Sequence, residues 1–504
     1  MTAVLQVGDA IEVVGKRDRS ETDDPVLTEL EQSLTALVEE SLPKARSTRL
    51  RLRTTPAEIR EPERLVPNNE TSRSPAAVAS HPTALHRSQQ LVTVGTMYFG
   101  YAMFMVLRMI PSVAALSMRE DPALDIDLAV WGRILAMGTC GAMVGKFIGG
   151  YAADKFGGKM TFTVGLLVSA VFIGFFAVSF EVWLFQLTLF FALMAKSVGW
   201  PSMAKIIGNW FQSDEYGRVW GVISTSSRVG ALATTLGLGA LLAYMPWRAM
   251  LVIAAVVGVV TVVCFAFVLK ERPEDQEIAT SDEPDDSNRR PHPLDNTTLP
   301  AALVQFACSR QFWLITGSLI GLTILMDFLL MVPMYLKDTL TLSDAQASMA
   351  SSAFPFGSLI SVLAGGYVFD KLSRNSSGWV MGVLLTLATG CIATLLLMPR
   401  FGMTPESLTY LSLVLLFLFG LCVSPCYYIP MSVFSMEFGG PHSGFLIALL
   451  DAIAFGATAI FYYYGGAIAE EGWNRFLSVL LAISMWSLLT TFFFMRGESL
   501  RLKT

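Results

Sequence analysis

The chain has 504 residues, 53% of them hydrophobic and only 15% charged, whereas soluble domains carry about 25% charged residues. Repeated apolar runs of about 20 residues or more account for the deficit and mark a polytopic membrane protein rather than a soluble enzyme. The net charge of -5 decides little, because charge in such a chain is sorted by membrane side. All six cysteines (Cys140, Cys264, Cys308, Cys391, Cys422, Cys426) lie in or beside apolar runs, with the spacing of neither a disulfide framework nor a zinc site. Cys422 and Cys426, one helical turn apart, read as core hydrophobes rather than a metal pair.

Residues 1–88 are polar, with Pro, Ser, Thr, Arg and Glu throughout, and read as a disordered cytosolic tail. No apolar stretch follows Met1, so no secretory signal is expected. Residues 28–40 have the pattern of a short amphipathic helix. The basic cluster Lys44, Arg46, Arg49, Arg51 and Arg53 suits either anionic lipid or plain solvent. Six spans are then predicted at 91–117, 129–153, 158–179, 182–208, 218–244 and 247–269, forming an N-terminal six-helix bundle over 89–269. The polar segment 270–308 reads as a flexible cytosolic linker. Six further spans, at 310–337, 345–371, 377–398, 405–432, 443–469 and 473–496, form a C-terminal bundle over 309–496, and 497–504 is a cytosolic tail. The predicted fold is all-α, with twelve transmembrane helices in two pseudo-symmetric six-helix bundles.

One stretch organises the rest. Residues Gly150, Asp154, Lys155, Gly157 and Lys159 end span 2, make a tight charged turn and start span 3. A shortened copy, Gly366, Asp370 and Lys371, ends span 8. Repetition at corresponding positions makes the chain two related halves. An aspartate there can accept hydrogen bonds from the N-terminus of a neighbouring helix, while the lysines sit among headgroups. The pattern resembles the loop motif of the major facilitator superfamily of transporters, which implies a role in gating the conformational change.

Orientation follows Lys and Arg in short loops. One side holds Lys155, Lys159, Arg218, Lys270, Arg272, Lys371, Arg374 and the basic end of the chain. The other holds Asp125, Asp127, Glu181, Lys337-Asp338 and Glu470-Glu471. Both termini and the linker are therefore expected in the cytosol, with the membrane itself, plasma membrane or organelle, left open. The sequons at Asn69, Asn296 and Asn375 fall on that side, and none is expected to be glycosylated.

Ionisable residues inside spans carry the functional reading, since each costs at least ~2.5–3.5 kcal/mol at a helix centre. Arg108 lies in span 1, Lys146 in span 2, Lys196 in span 4 and Arg228 in span 5; Asp327 lies in span 7 and Asp451 in span 11. Several cations converging on a membrane cavity suit an anionic substrate, and arginine's planar fork matches two oxygens of a phosphate or carboxylate. The plainer alternatives are that Arg108 pairs with Asp327 and ties the halves together, that Lys146 gates, and that Asp451 packs helices. No nucleotide-binding loop, metal cluster or catalytic constellation is present, and the four histidines lie outside the predicted spans. No cofactor, no metal and no nucleic-acid partner are expected. The partners are a small anion, a coupling ion (inorganic phosphate or a proton) and the bilayer, and the protein is expected to be a monomer.

Further stretches resemble one branch of that superfamily. Gly100-Tyr101-Ala102-Met103-Phe104 with Arg108, then Lys146-Phe147, then Gly199-Trp200-Pro201-Ser202 and Gly208-Asn209-Trp210-Phe211 are similar to the organophosphate:inorganic phosphate antiporters. The resemblance covers about residues 90–496 and is strongest over spans 1–5. It implies exchange of a phosphorylated metabolite for phosphate by rocking of two halves, with Arg108 holding the substrate phosphate and Lys146 assisting. Three departures stand out. The second phosphate-binding arginine of the bacterial members falls in span 7, where this chain has Leu325. Lys196 replaces a usual glutamine, and Arg228 occupies a stretch that carries His-Asn in bacterial members. Lys196 and Arg228 are accordingly expected to replace the missing cation. The rival reading is a proton-coupled symporter of a carboxylate or other organic anion, with Asp327 carrying the proton. A receptor that binds the anion without moving it is a third.

Overall fold

The computed structural model describes residues 84–212, 215–273, 294, 297–369 and 371–501. The predicted tail up to residue 83, most of the linker, Asn69, Asn296 and Asp370 lie outside the described residues. Every regular element among the described residues is helical. Among the described residues, eleven helices are long and apolar enough to cross a membrane. They are span 1 (Arg87–Met118), span 2 (Leu128–Phe156), span 3 (Gly158–Ala177), span 4 (Val182–Trp210), span 6 (Trp247–Val268) and span 7 (Arg310–Leu330). The remainder are span 8 (Asp344–Phe369), span 9 (Ser376–Phe401), span 10 (Pro405–Tyr427), span 11 (Ser443–Glu470) and span 12 (Trp473–Gly497).

Span 5 is the twelfth, and it is interrupted. A helix over Tyr216–Leu232 widens into a π-helical stretch over Ala233–Leu238 and closes with a turn over Gly239–Leu241. The hydroxyls of Thr234 and Thr235 bond back to the carbonyls of Gly230 and Ala231 at 2.8 and 3.0 Å. Such back-bonding competes with the helical ladder and favours a local bulge.

Other departures sit at element ends. The helix of span 1 starts at Ala84, inside the predicted tail. Span 10 continues as helix to Gly439 through Pro425 and Pro430, and the last helix runs to Arg501. Within the predicted linker, Leu299–Cys308 is helical and buries Ala302 and Phe306. Span 7 changes character at Asp327. A 3-10 turn over Phe328–Leu330 follows, and a new helix, Val332–Leu340, starts with proline in its first turn. Proline is tolerated there because a first-turn N–H has no helical partner to lose.

The outer surface is apolar. Span 9 turns Trp379, Val383 and Leu387 outward at four-residue spacing, and span 6 turns out Val256, Val260, Val263 and Phe267 at spacings of three and four. Such stripes suit hydrocarbon rather than water.

Residues 80–504 form one compact unit, in which spans 1–6 and 7–12 repeat the same packing. A Cβ added at Gly141 of span 2 would run into the main-chain carbonyl of Phe190 in span 4; one at Gly357 of span 8 would run into that of Phe417 in span 10. Glycine at both places lets two backbones touch, the usual route to tight helix association in lipid. The halves meet along spans 2 and 11 and spans 5 and 8. A Cβ at Gly132 would lie 2.5 Å from the carbonyl oxygen of Tyr462 and 2.7 Å from Cα of Gly466, and one at Gly239 would strike the hydroxyl of Ser348.

Polar ties seal the halves at the end marked by Asp338. Arg119 pairs with Asp338 at 3.1 Å, and Ser117 donates to Asp344 at 2.5 Å. Lys337 pairs across the halves with Glu120 and, within its own half, with Asp344 at 2.5 Å. Glu470, ending span 11, accepts from the first main-chain N–H of span 2 at 2.8 Å. At the opposite end, marked by Asp154, a Cβ at Gly150 or Gly444 would meet nothing within 4 Å.

Candidate substrate site

The four candidate cations all come from spans 1–5, and the two candidate carboxylates from spans 7 and 11. Arg108 donates to Asp327 Oδ1 at 2.5 Å, their side chains 15% and 7% exposed. The main-chain carbonyl of Asp327, where the span 7 helix ends, accepts the Tyr462 hydroxyl at 2.6 Å. The second carboxylate oxygen, Oδ2, is buried with no hydrogen-bond partner among the described residues. An orphaned acceptor of that kind costs about 1–3 kcal/mol, so the site keeps one acceptor open to a further donor. Lys146 repeats the arrangement on spans 2 and 11. It donates to Asp451 Oδ2 at 2.6 Å and lies 5.3 Å from the centre of the Phe455 ring. The Arg108–Asp327 pair, weighed in the sequence as the plainer alternative, is thus present, together with a second pair of the same polarity.

Lys196 has a different position. It stands in the last turn of the segment Val182–Ser197, where span 4 breaks before Gly199. Free carbonyls at a helix C-terminus favour a cation. Its side chain is buried and its ammonium lies 5.7 Å from the centre of the Tyr101 ring. Among the described residues it makes no hydrogen bond or ion pair, though Arg108, Lys146, Asp327 and Asp451 are close enough for their charges to act on it.

Arg228 reaches from span 5 into the other half. Its Nε donates to Ser358 Oγ on span 8 at 3.1 Å and its Nη2 to Ser424 Oγ on span 10 at 3.1 Å. Its Nη1 donates to its neighbour Ser227 at 2.6 Å. Ser358 and Ser424 share a hydrogen bond of 2.7 Å. Neither serine stands out in the sequence, because hydroxyls in apolar helices usually bond back to their own backbone, as Ser226 and Thr458 do here. Leu325, at the position of the missing arginine, is fully buried.

The turn after span 2 is assembled differently from its expected role. Gly157 has a φ of 84°, a conformation that favours glycine. Asp154 is exposed and pairs with Lys205 at 3.4 Å. The helix N-terminus beside it is capped instead by Glu271, whose carboxylate accepts from the main-chain N–H groups of Gly158 and Lys159 at 2.8 and 2.6 Å. Asn209 adds a side-chain donor to the same carboxylate at 3.3 Å, and Trp210 Nε1 donates to the Lys270 carbonyl at 3.0 Å. Lys155 donates to Tyr151, and Lys371 to Tyr367, the same i, i-4 contact in both halves. Gly366 lies in the helix Ala353–Phe369. Tyr462 belongs to the site, whereas Tyr463 and Tyr464 face outward. Cys426 donates to the Cys422 carbonyl within its own helix, and no group of three metal-ligand side chains occurs among the described residues.

A family model described as Major Facilitator Superfamily matches residues 97–398. The chain is 24% identical over 416 residues to a probable hexose phosphate transport protein of Chlamydia muridarum, covering 78% of this chain and 88% of that one. It is 22% identical over 389 residues to the glucose-6-phosphate exchanger SLC37A2 of Bos taurus, covering 67% and 75%. Among solved structures, a bacterial homolog of the human lysosomal transporter Spinster, inward-facing and unoccupied, superposes with a TM-score of 0.60 at 14% identity, over 82% of this chain and 98% of that one. With its long apolar helices, the chain is a multi-pass integral membrane protein.

Proposed function

The chain belongs to the major facilitator superfamily, and from that premise we propose that it exchanges a phosphorylated organic anion, such as a sugar phosphate or glycerol phosphate, for inorganic phosphate. The observation that carries this reading is the charge of the central site. Arg108 and Lys146 pair with Asp327 and Asp451, and Lys196 and Arg228 add two further cations, so within this set four cations outnumber two carboxylates by two. A phosphate monoester carries about -1.5 to -2 at pH 7, which matches that surplus; a simple carboxylate does not. The two similar proteins named as hexose phosphate and glucose-6-phosphate carriers support the same substrate class.

In this reading Arg108 supplies the two-pronged contact to the phosphate. Lys146 adds charge, and Lys196 and Arg228 supply what Leu325 withholds. The arriving anion competes with Asp327 and Asp451 for their cations. Each success removes a tie between the halves, and the ties at the Asp338 end then part to expose the site on the other side. An empty carrier keeps both central ties, so movement is coupled to exchange. The distribution of Lys and Arg supports a cytosolic Asp154 end, with both termini and the 270–308 linker on that side. The halves act as bodies of 89–269 and 309–496, and the site is complete within one monomer.

The orphaned Asp327 Oδ2 favours one rival, proton-coupled symport of an organic anion. The test is counterflow in liposomes loaded with inorganic phosphate, with labelled phosphate outside. Uptake independent of a pH gradient supports exchange. Uptake of an organic anion driven by the gradient, with no phosphate counterflow, replaces it with symport.

A further inference from the structure

The second half contributes no cation at span 7, yet a carrier that closes around its substrate needs contacts from both halves. We propose that Ser358 and Ser424 are that contribution: a hydroxyl pair on spans 8 and 10 that holds Arg228 in the empty carrier and donates to the oxygens of the bound anion. The inference rests on the anion-exchange reading above and deepens it.

Three features carry it. Both serines are buried, at 2% and 0% exposure, in helices whose neighbours are apolar. Burying a hydroxyl without a partner is unfavourable, and here both use Arg228 and each other rather than their own helix backbones. The arginine they hold comes from the opposite half, so the cluster bridges spans 5, 8 and 10 across the interface. Serine hydroxyls also differ in kind from Asp327 and Asp451. A hydroxyl accepts from the guanidinium without cancelling its charge, and it can rotate to donate to an anion once one arrives. A carboxylate can only accept, and must be displaced. The geometry therefore gives the second half two kinds of contact with the cations: two carboxylates that compete with the substrate and two hydroxyls that can join it. Together, Arg228, Ser358 and Ser424 bring one guanidinium and two hydroxyls into one hydrogen-bonded cluster, groups that can donate to an oxyanion.

The test uses the full chain in liposomes under phosphate counterflow, comparing wild type with Ser358→Ala/Ser424→Ala, each single variant, and Ser358→Thr/Ser424→Thr. Loss of hydrogen bonds to a charged ligand predicts a rise of about 10-fold or more in KM for phosphate in the double alanine variant. Each single variant should show a smaller rise, and the threonine pair should regain most of the affinity. A wild-type KM in the alanine variants would overturn the proposal, as would a threonine pair as impaired as the alanine pair, because then packing and not the hydroxyl matters. If the double variant does not fold, the single variants decide the matter by the same criteria. Failure of the wild type to exchange phosphate would instead refute the exchange reading on which the proposal stands.

Discussion

The two halves of this molecule share a frame and divide the chemistry. Gly141 against Phe190 and Gly357 against Phe417 are the same contact made twice, between spans 2 and 4 and between spans 8 and 10. Lys155 on Tyr151 and Lys371 on Tyr367 are likewise one contact in two copies. At the centre the likeness ends. The first half supplies four cations, and the second supplies Asp327, Asp451, Ser358 and Ser424. Backbone packing is set by residue size, so duplication preserves it in both copies. Charge placement is set by the ligand, which a duplicated frame meets from two sides with two different chemistries.

The comparison breaks most sharply at Arg108. Arg108→Ala should cut phosphate counterflow by about 100-fold or more, because it removes a buried charge contact and leaves Asp327 unpaired. Arg108→Lys should recover only part, since an ammonium keeps the charge and loses the planar fork. Near wild-type exchange by the alanine variant would remove Arg108 from the site.

The frame itself can be tested next. Gly141→Val and Gly357→Val each force a side chain into a backbone carbonyl across a helix pair. Overpacking of this kind costs about 1–3 kcal/mol, so both variants should lose thermal stability in detergent by similar amounts. A large loss in one and none in the other would show that the two halves do not rest on the same contact. A smaller effect is expected at the Asp154 end. Glu271→Ala removes the cap on span 3 and should cost about 1 kcal/mol, read as a modest drop in the same melting assay. Asp154→Ala, which breaks only an exposed pair, should cost less.

Much of this was legible in the residues. Apolar runs of membrane length and the repeated Gly-Asp-Lys turn announce the spans and the two halves, because lipid imposes length and composition directly. Arg108, Lys146, Lys196 and Arg228 could be picked out because a charge in a span is costly and so needs a reason. The Arg108–Asp327 pair could be weighed as an alternative, whereas Lys146–Asp451 could not, since nothing local links span 2 to span 11. Ser358 and Ser424 were hidden for the opposite reason: a serine in an apolar helix is cheap, so its presence signals nothing until its partner is seen. Glu271 was read as part of a polar linker, and only the fold brings it to the start of span 3. The π-helical stretch in span 5 goes with Thr234 and Thr235 bonding back to Gly230 and Ala231, a choice that sequence leaves open.

The division of labour between the halves makes one measurement decisive: KM for inorganic phosphate in counterflow, compared between Lys196→Gln and Asp451→Asn. Cations of the first half attract the anion and carboxylates of the second compete with it, so the two neutral substitutions should move KM in opposite directions. The account predicts a several-fold rise for Lys196→Gln and a several-fold fall for Asp451→Asn. A shift in the same direction for both, or none for either, would contradict it.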